Sequence, residues 1–206
     1  MKPGEIETLS FQIIDQEVGP HGFSNEQWPV VRRMIHTSAD FEYKDSIRFH
    51  PDAVAAGVAA IRNGKSIITD TNMARVGIRQ KDLKPFGAEV KCYMNDSAVH
   101  EKASSAGTTR AHAAVDAAIS DMTEGIYVIG NAPTALLHLI ERVKEENAQP
   151  ALIIGLPVGF VNAAESKAEL IKLSQPPYIT NVGRKGGSNV AAAVVNALVI
   201  LATQDG

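Results

Sequence analysis

A chain of 206 residues, 45% of them hydrophobic and 21% charged, is long enough to bury one substantial core and has the balance of an ordinary globular domain. Its net charge of −3 excludes the broad basic surface that nucleic acid or anionic lipid requires, so an anionic guest has to be met by locally placed Arg and Lys. Cys92 is the sole cysteine, which excludes an intrachain disulfide and a cysteine metal cluster and suits a reducing cytoplasm.

The opening stretch, MKPGEIETLSFQIIDQE, lacks the apolar core and cleavage pattern of a signal peptide. No run of about 18 apolar residues is present to span a membrane. Residues 1–24 read as an extended arm with one apolar patch at Phe11, Ile13 and Ile14. Helical patterns follow at 25–39 and 52–62. The first strand is 66–69 and the second 89–94, with helices at 96–104 and 108–122 after it. Three further strands, 125–129, 151–156 and 178–182, are each followed by a helix, at 133–146, 163–173 and 188–203. Asn131 is placed to cap the helix that starts at Pro133, and Asp96 the helix after the second strand. Strand and helix alternate through 65–203. That predicts one α/β domain over 1–206, with a mostly parallel five-stranded sheet covered on both faces.

In such a sheet ligands bind beyond the carboxyl ends of the strands. The five segments found there are 69–75 (TDTNMAR), 95–97 (NDS), 130–134 (GNAPT), 157–162 (PVGFVN) and 183–189 (GRKGGSN). Each taken alone reads equally as a tight turn with a helix cap. Together they favour a broad polar rim. The last is a glycine turn opening a helix, a ready place for an anion. Lys185 precedes its glycines, so the phosphate loop G-x-x-x-x-G-K-[ST] is not met, and G-x-G-x-x-G is absent. The expected guest is therefore an anion other than a nucleotide phosphate.

Arg33 and His36 are three apart on the helix over 25–39 and share a face. That sets a fixed cation beside a side chain that exchanges protons near neutrality; a solvated face with an incidental histidine is the competing reading. His21, His50, His100, His112 and His138 have no comparable partner in the sequence, and His100 and His112 read as structural. Asp15 and Glu17 fit a solvated arm better than a carboxylate pair. No H-E-x-x-H, H-x-x-E-H or Cys/His spacing supports a metal, and no G-x-S-x-G elbow is present.

These residues resemble the precorrin-8X methylmutases, or precorrin isomerases, including those acting on cobalt-precorrin-8. The resemblance covers essentially the whole chain. It rests on Ser10-Phe11 followed by Ile14 and Glu17, Arg33-Met34-Ile35-His36, Thr69-Asp70-Thr71-Asn72-Met73, Gly130-Asn131-Ala132-Pro133-Thr134, Pro157-Val158-Gly159-Phe160-Val161, Glu165-Ser166-Lys167 and Gly183-Arg184-Lys185-Gly186-Gly187-Ser188. It implies a flavodoxin-like three-layer α/β/α fold, a homodimer with sites near the subunit interface, and an isomerase moving a methyl group from C11 to C12 of a corrin precursor. It maps the proton donor and acceptor onto His36 and substrate contacts onto Ser10 and Arg33. Thr71, Asn72, Arg75, Asn131, Thr134, Arg184, Lys185, Gly186, Gly187 and Ser188 complete the expected rim. The stretch after His36, Thr37-Ser38-Ala39-Asp40-Phe41, lacks the glycine-containing turn associated with some members.

A macrocycle fringed with carboxylates answers the question of the anion, because it needs dispersed donors, and charge-assisted bonds to carboxylates are the strong kind. No cofactor is expected, cobalt if present being carried by the substrate. Two other readings compete: a non-catalytic corrinoid carrier, which would not need His36, and a flavin or nucleotide enzyme, suggested by fold analogy alone.

Overall fold

The computed structural model describes residues 3–204. In chain order its elements are α1 Pro3–Val18, α2 Gln27–Ser38, α3 Tyr43–Ser46, β1 Ile47–Phe49, α4 Ala53–Arg62, β2 Ile67–Thr69, α5 Asn72–Gly77 and α6 Gln80–Leu83. After a 3-10 turn at Lys84–Phe86 come β3 Val90–Lys91, α7 Ser97–Ala106, α8 Arg110–Ala117, α9 Ile119–Met122, β4 Ile126–Ile129 and α10 Pro133–Lys144. The last are β5 Leu152–Gly155, α11 Ala163–Ile171, β6 Tyr178–Asn181 and α12 Ser188–Gln204.

The sheet runs β1-β6-β5-β4-β2-β3. The pairs from β3 to β6 are parallel, and β1 lies antiparallel to β6. Without β1 the parallel strands follow the order second, first, third, fourth, fifth. That is the flavodoxin-like arrangement, whose order reverses between β2 and β4.

The strands are short apolar runs because both faces of the sheet are covered. Successive side chains point to opposite faces. Ile67, Ile126, Val128, Leu152 and Ile154 therefore pack into one core with α2, α4 and α12. Ile68, Tyr127, Ile129 and Ile153 enter the other, with α8, α10 and α11. Helix α12 is central to the first layer, and its alanines at 191–193 and 197 let α2, α4 and α5 pack against it.

Two expectations are corrected. The sheet has six strands, not five: three residues are too few to display a period of two, and β1 exists through its pairing with β6. The N-terminal arm is not extended over 1–24 but helical from Pro3 to Val18. Phe11, Ile14 and Val18 recur at spacings of three and four, and that stripe packs against the first core. At α10 the residue before the helix is Ala132, and no side chain, Asn131 included, caps it there. Asp96 precedes α7 without a side-chain cap bond.

Candidate active site

Four of the five loops beyond the strands clamp one another into one rim. Asp70, buried at the end of β2, accepts backbone N–H bonds from Gly130 (2.9 Å), Asn131 (2.8 Å) and Ala132 (2.8 Å) across the reversal point. This carboxylate fixes the loop between β4 and α10 to the end of β2. Thr71 accepts from Ala74 N–H to start α5, and its hydroxyl lies 2.8 Å from that of Ser188. A side chain at Gly130 would strike the Ser188 backbone, and one at Gly186 the carbonyls of Leu156 and Pro157, so glycine is needed at both for close approach. Gly187 N–H donates to Leu156 O at 2.9 Å, and Gly159 N–H to Arg184 O at 3.2 Å. Among the described residues no hydrogen bond joins the loop at 95–97 to the other four.

His36 stands exposed near the C-terminus of α2. The helix α1 packs alongside and sets the Phe11 ring edge-on to the imidazole, centroids 5.2 Å apart at 70°. The guanidinium of Arg33 lies 5.1 Å from the same ring and pairs with Glu7 at 2.9 Å. His36 borders two clefts. One, of about 310 Å³, is lined by Ser10, Glu17, Ile35 and Phe41 among others. The other, of about 200 Å³, is lined by Arg33, Thr37, Gly77, Asn189 and Asn196 among others. Ser10 donates its hydroxyl back to Ile6 O at 2.8 Å while lining the first cleft. Asp15 belongs to α1 and pairs with Arg32 at 2.8 Å.

The turn after His36 works without glycine because Ala39 takes the left-handed conformation, φ 52° and ψ 32°, and ends α2. Asp40 and Glu42 follow, and both pair with Lys185, at 2.5 and 2.8 Å. The hydrogen bond it donates to Asp40, then that to Glu42, holds the Lys185 ammonium above its usual range. Lys185 thus ties the loop after β6 to the segment after His36, and its charge is already matched. Arg184 is exposed, its guanidinium 5.5 Å from the Phe160 ring. Arg75 is half-buried, and its Nε has no hydrogen-bond partner. Asn131 and Thr134 are exposed at the start of α10, the Thr134 hydroxyl 3.3 Å from that of Thr109. The structure thus brings Thr71, Gly186, Gly187 and Ser188 together and sets Ser10 and Arg33 beside His36.

Several histidines do have partners, which sequence spacing did not reveal. His21 stacks on Trp28, and His100 lies 3.1 Å from Arg110. His112 and His138 stack with centroids 3.4 Å apart. Asp116 sits between α8 and α10, bonded to His138 Nε2 (2.8 Å), Arg142 Nε (2.9 Å) and Lys102 Nζ (3.0 Å). Burial alone would push the Asp116 carboxyl up; the three donors outweigh it and hold it well below the usual carboxylate range. Burial, then the neighbouring His138, lowers His112. One donor atom each of His112, Asp116 and His138 lies within 4.8 Å of the others, and two cations, Lys102 and Arg142, already serve the carboxylate. The cluster is an internal polar network beneath the rim.

The precorrin-8X methylmutase family profile matches residues 5–201. The chain belongs to the precorrin-8X methylmutase family. Its relatives include the cobalt-precorrin-8 methylmutase of Priestia megaterium, 53% identical over 98% of this chain and 89% of that protein. The precorrin-8X methylmutase of Pseudomonas aeruginosa is 40% identical over 92% of this chain and 91% of the relative. A crystal structure of precorrin-8x methyl mutase from Thermus thermophilus superposes with a TM-score of 0.90 at 47% identity, covering 96% of this chain and 95% of that one. Methylmutases of this family are isomerases of cobalamin biosynthesis, and this chain is an enzyme of that kind. The carrier reading finds no support among these relatives. No helix among the described residues is long and apolar enough to cross a membrane.

Proposed function

We propose that the protein converts cobalt-precorrin-8 to cobyrinate by moving the C11 methyl group to C12, with His36 as proton donor and acceptor. The observation that carries this is the position of His36: exposed between two clefts, backed by Phe11, and one turn from Arg33. The imidazolium gives a proton to the conjugated ring, which draws π-density from around C11. The C11–CH₃ bond breaks as the C12–CH₃ bond forms within the same frame, and a proton then returns to His36. The enzyme ends in its starting state, and no redox partner or external nucleophile takes part. A positioned acid/base of this kind contributes roughly 10²–10⁴-fold. Arg33, one turn away, anchors a substrate carboxylate beside the imidazole. The 53% identity to the cobalt-precorrin-8 methylmutase of Priestia megaterium supports the cobalt form as substrate.

The working unit in this reading is a homodimer. Two clefts of about 310 and 200 Å³ are at or below the small end of ligand pockets and too small for a tetrapyrrole, so a second copy is needed to complete the wall. Met73, Val76, Val158, Phe160 and Val161 are exposed on α5 and the loop after β5, an apolar patch of the kind that marks an interface.

Anaerobic incubation with cobalt-precorrin-8 should shift the visible spectrum to that of the rearranged corrin. No shift, with the pigment bound and unchanged, would refute the assignment. Sedimentation should give a dimer that Phe160→Ser weakens; a monomer that turns over at the full rate would refute the shared site.

A further inference from the structure

Lys167 is fully buried on α11, yet no carboxylate among the described residues pairs with it. Its ammonium donates to Asn181 Oδ1 at 3.1 Å and to the backbone carbonyl of Lys185 at 2.7 Å. Asn181 Nδ2 donates to the same carbonyl at 3.0 Å, so Lys185 O is held inward by two donors. Burial pushes the Lys167 ammonium down to about 8, the signature of a cation with no counter-charge. Keeping such a group carries a desolvation cost that a well-packed apolar side chain would not. Packing therefore does not explain it.

Geometry supplies the explanation. In a trans peptide the C=O and the following N–H point in opposite directions. Fixing Lys185 O toward Lys167 turns the Gly186 N–H the other way, away from the buried ammonium. The same loop runs directly into Asn189, which lines the cleft beside His36. The Lys185 side chain meanwhile leaves on the outer side to reach Asp40 and Glu42.

We propose that Lys167 is a positioning residue, whose buried ammonium sets the orientation of the Lys185–Gly186 peptide and supplies the unmatched positive charge that a substrate carboxylate meets on the loop at 183–188. This rests on the corrinoid reading above. The charge of the Lys185 side chain is spent on Asp40 and Glu42, so the loop's attraction for an anion comes from the exposed Arg184 and from beneath the loop. A polycarboxylate guest thereby becomes the counter-ion that the folded chain withholds.

The test compares two ligands and two variants. The ligands are cobyrinate, which carries the ring's free carboxylates, and its fully methyl-esterified form, which has the same ring without the charges. Lys167→Met removes the ammonium at similar volume. Asn181→Asp leaves the lysine and gives it a partner inside the fold, which keeps the experiment informative if the Met variant does not fold. Both variants should bind cobyrinate roughly tenfold or more weakly, the scale of one charge-assisted bond. Both should bind the ester as the wild type does. With cobalt-precorrin-8 the loss should fall on KM, kcat staying within the same order of magnitude. Equal cobyrinate affinity in wild type and variants, or an equal loss for acid and ester, would overturn the proposal. A wild type that binds neither ligand would instead overturn the corrinoid reading, and this proposal with it.

Discussion

The ring of Phe11 stands edge-on to that of His36, 5.2 Å away, while the guanidiniums of Arg32 and Arg33 lie over the same phenyl ring at 4.4 and 5.1 Å. One aromatic side chain from α1 thus orders the imidazole and two cations of α2. His36→Ala should fold, bind corrinoid and lose roughly 10²–10⁴-fold in single-turnover rate. Phe11→Ala should keep His36 yet lower kcat, because an imidazole held loosely is less often in place. Rapid-mixing spectroscopy under saturating substrate separates the two; a normal rate in the His36 variant removes that residue from the chemistry.

Arg33 pairs with Glu7 at 2.9 Å on the free protein, so its charge is screened until substrate competes for it. Arg33→Ala should raise KM with little change in kcat, as loss of uniform binding does. Steady-state kinetics decide this, a fall in kcat alone being the contrary result.

Asp70 is held by three backbone donors and is almost fully buried. Asp70→Ala leaves two buried N–H groups, of Gly130 and Ala132, and the part-buried one of Asn131 without an acceptor. At about 1–3 kcal/mol for each such group, the variant should lose on the order of 3 kcal/mol or more. Urea unfolding measures it, and Asp70→Asn, which retains one acceptor oxygen, should recover part. A loss below about 1 kcal/mol would show that the rim does not depend on this carboxylate.

Ala39 ends α2 in a left-handed conformation that costs an alanine about 1 kcal/mol and a glycine nothing. Ala39→Gly relieves that strain and gives back part of it through the freer unfolded chain. The expected outcome is a small net gain, up to about 1 kcal/mol, which for a domain of this size is roughly 2–4 °C in Tm. A Tm lowered by calorimetry would contradict it.

The Asp116 carboxyl is held below its unfolded value, so its stabilisation is complete above about pH 4 and is lost as pH falls through that point toward the folded value. His112 is lowered too: the unfolded chain takes up a proton first, so its contribution also fades on acidification, below about pH 6.5. Asp116→Asn should therefore be destabilised at neutral pH and converge on the wild type in strongly acidic buffer. Unfolding midpoints at several pH values test this, a constant gap at every pH being the failure.

What the sequence discloses follows from the range of each signal. The strands β2, β4, β5 and β6 are legible because burial on two faces makes them short buried runs between turns, whereas the edge strand β3 is only Val90–Lys91, shorter than the 89–94 expected. Arg33 and His36 are legible as neighbours because helical spacing is local. The helix over 3–18 was equally present in the spacing of Phe11, Ile14 and Val18, but adjacent Ile13 and Ile14 look like a patch until the period is counted. β1 is opaque because partners 130 or more residues away create it. The same distance hides the pairing of Lys185 with Asp40, which turns an expected substrate contact into an internal tie. Asp70 could be read as part of a motif, but not as the acceptor that locks the next loop.

The pairing of β1 with β6, and the seating of α2 against α12, have a consequence for how the enzyme is made. During synthesis the segment bearing the imidazole leaves the ribosome early, with nothing yet to dock on. Its landing surface arrives about 150 residues later. Until then the nascent polypeptide is inert toward pigment, and removing α12 should silence the enzyme as completely as deleting the histidine.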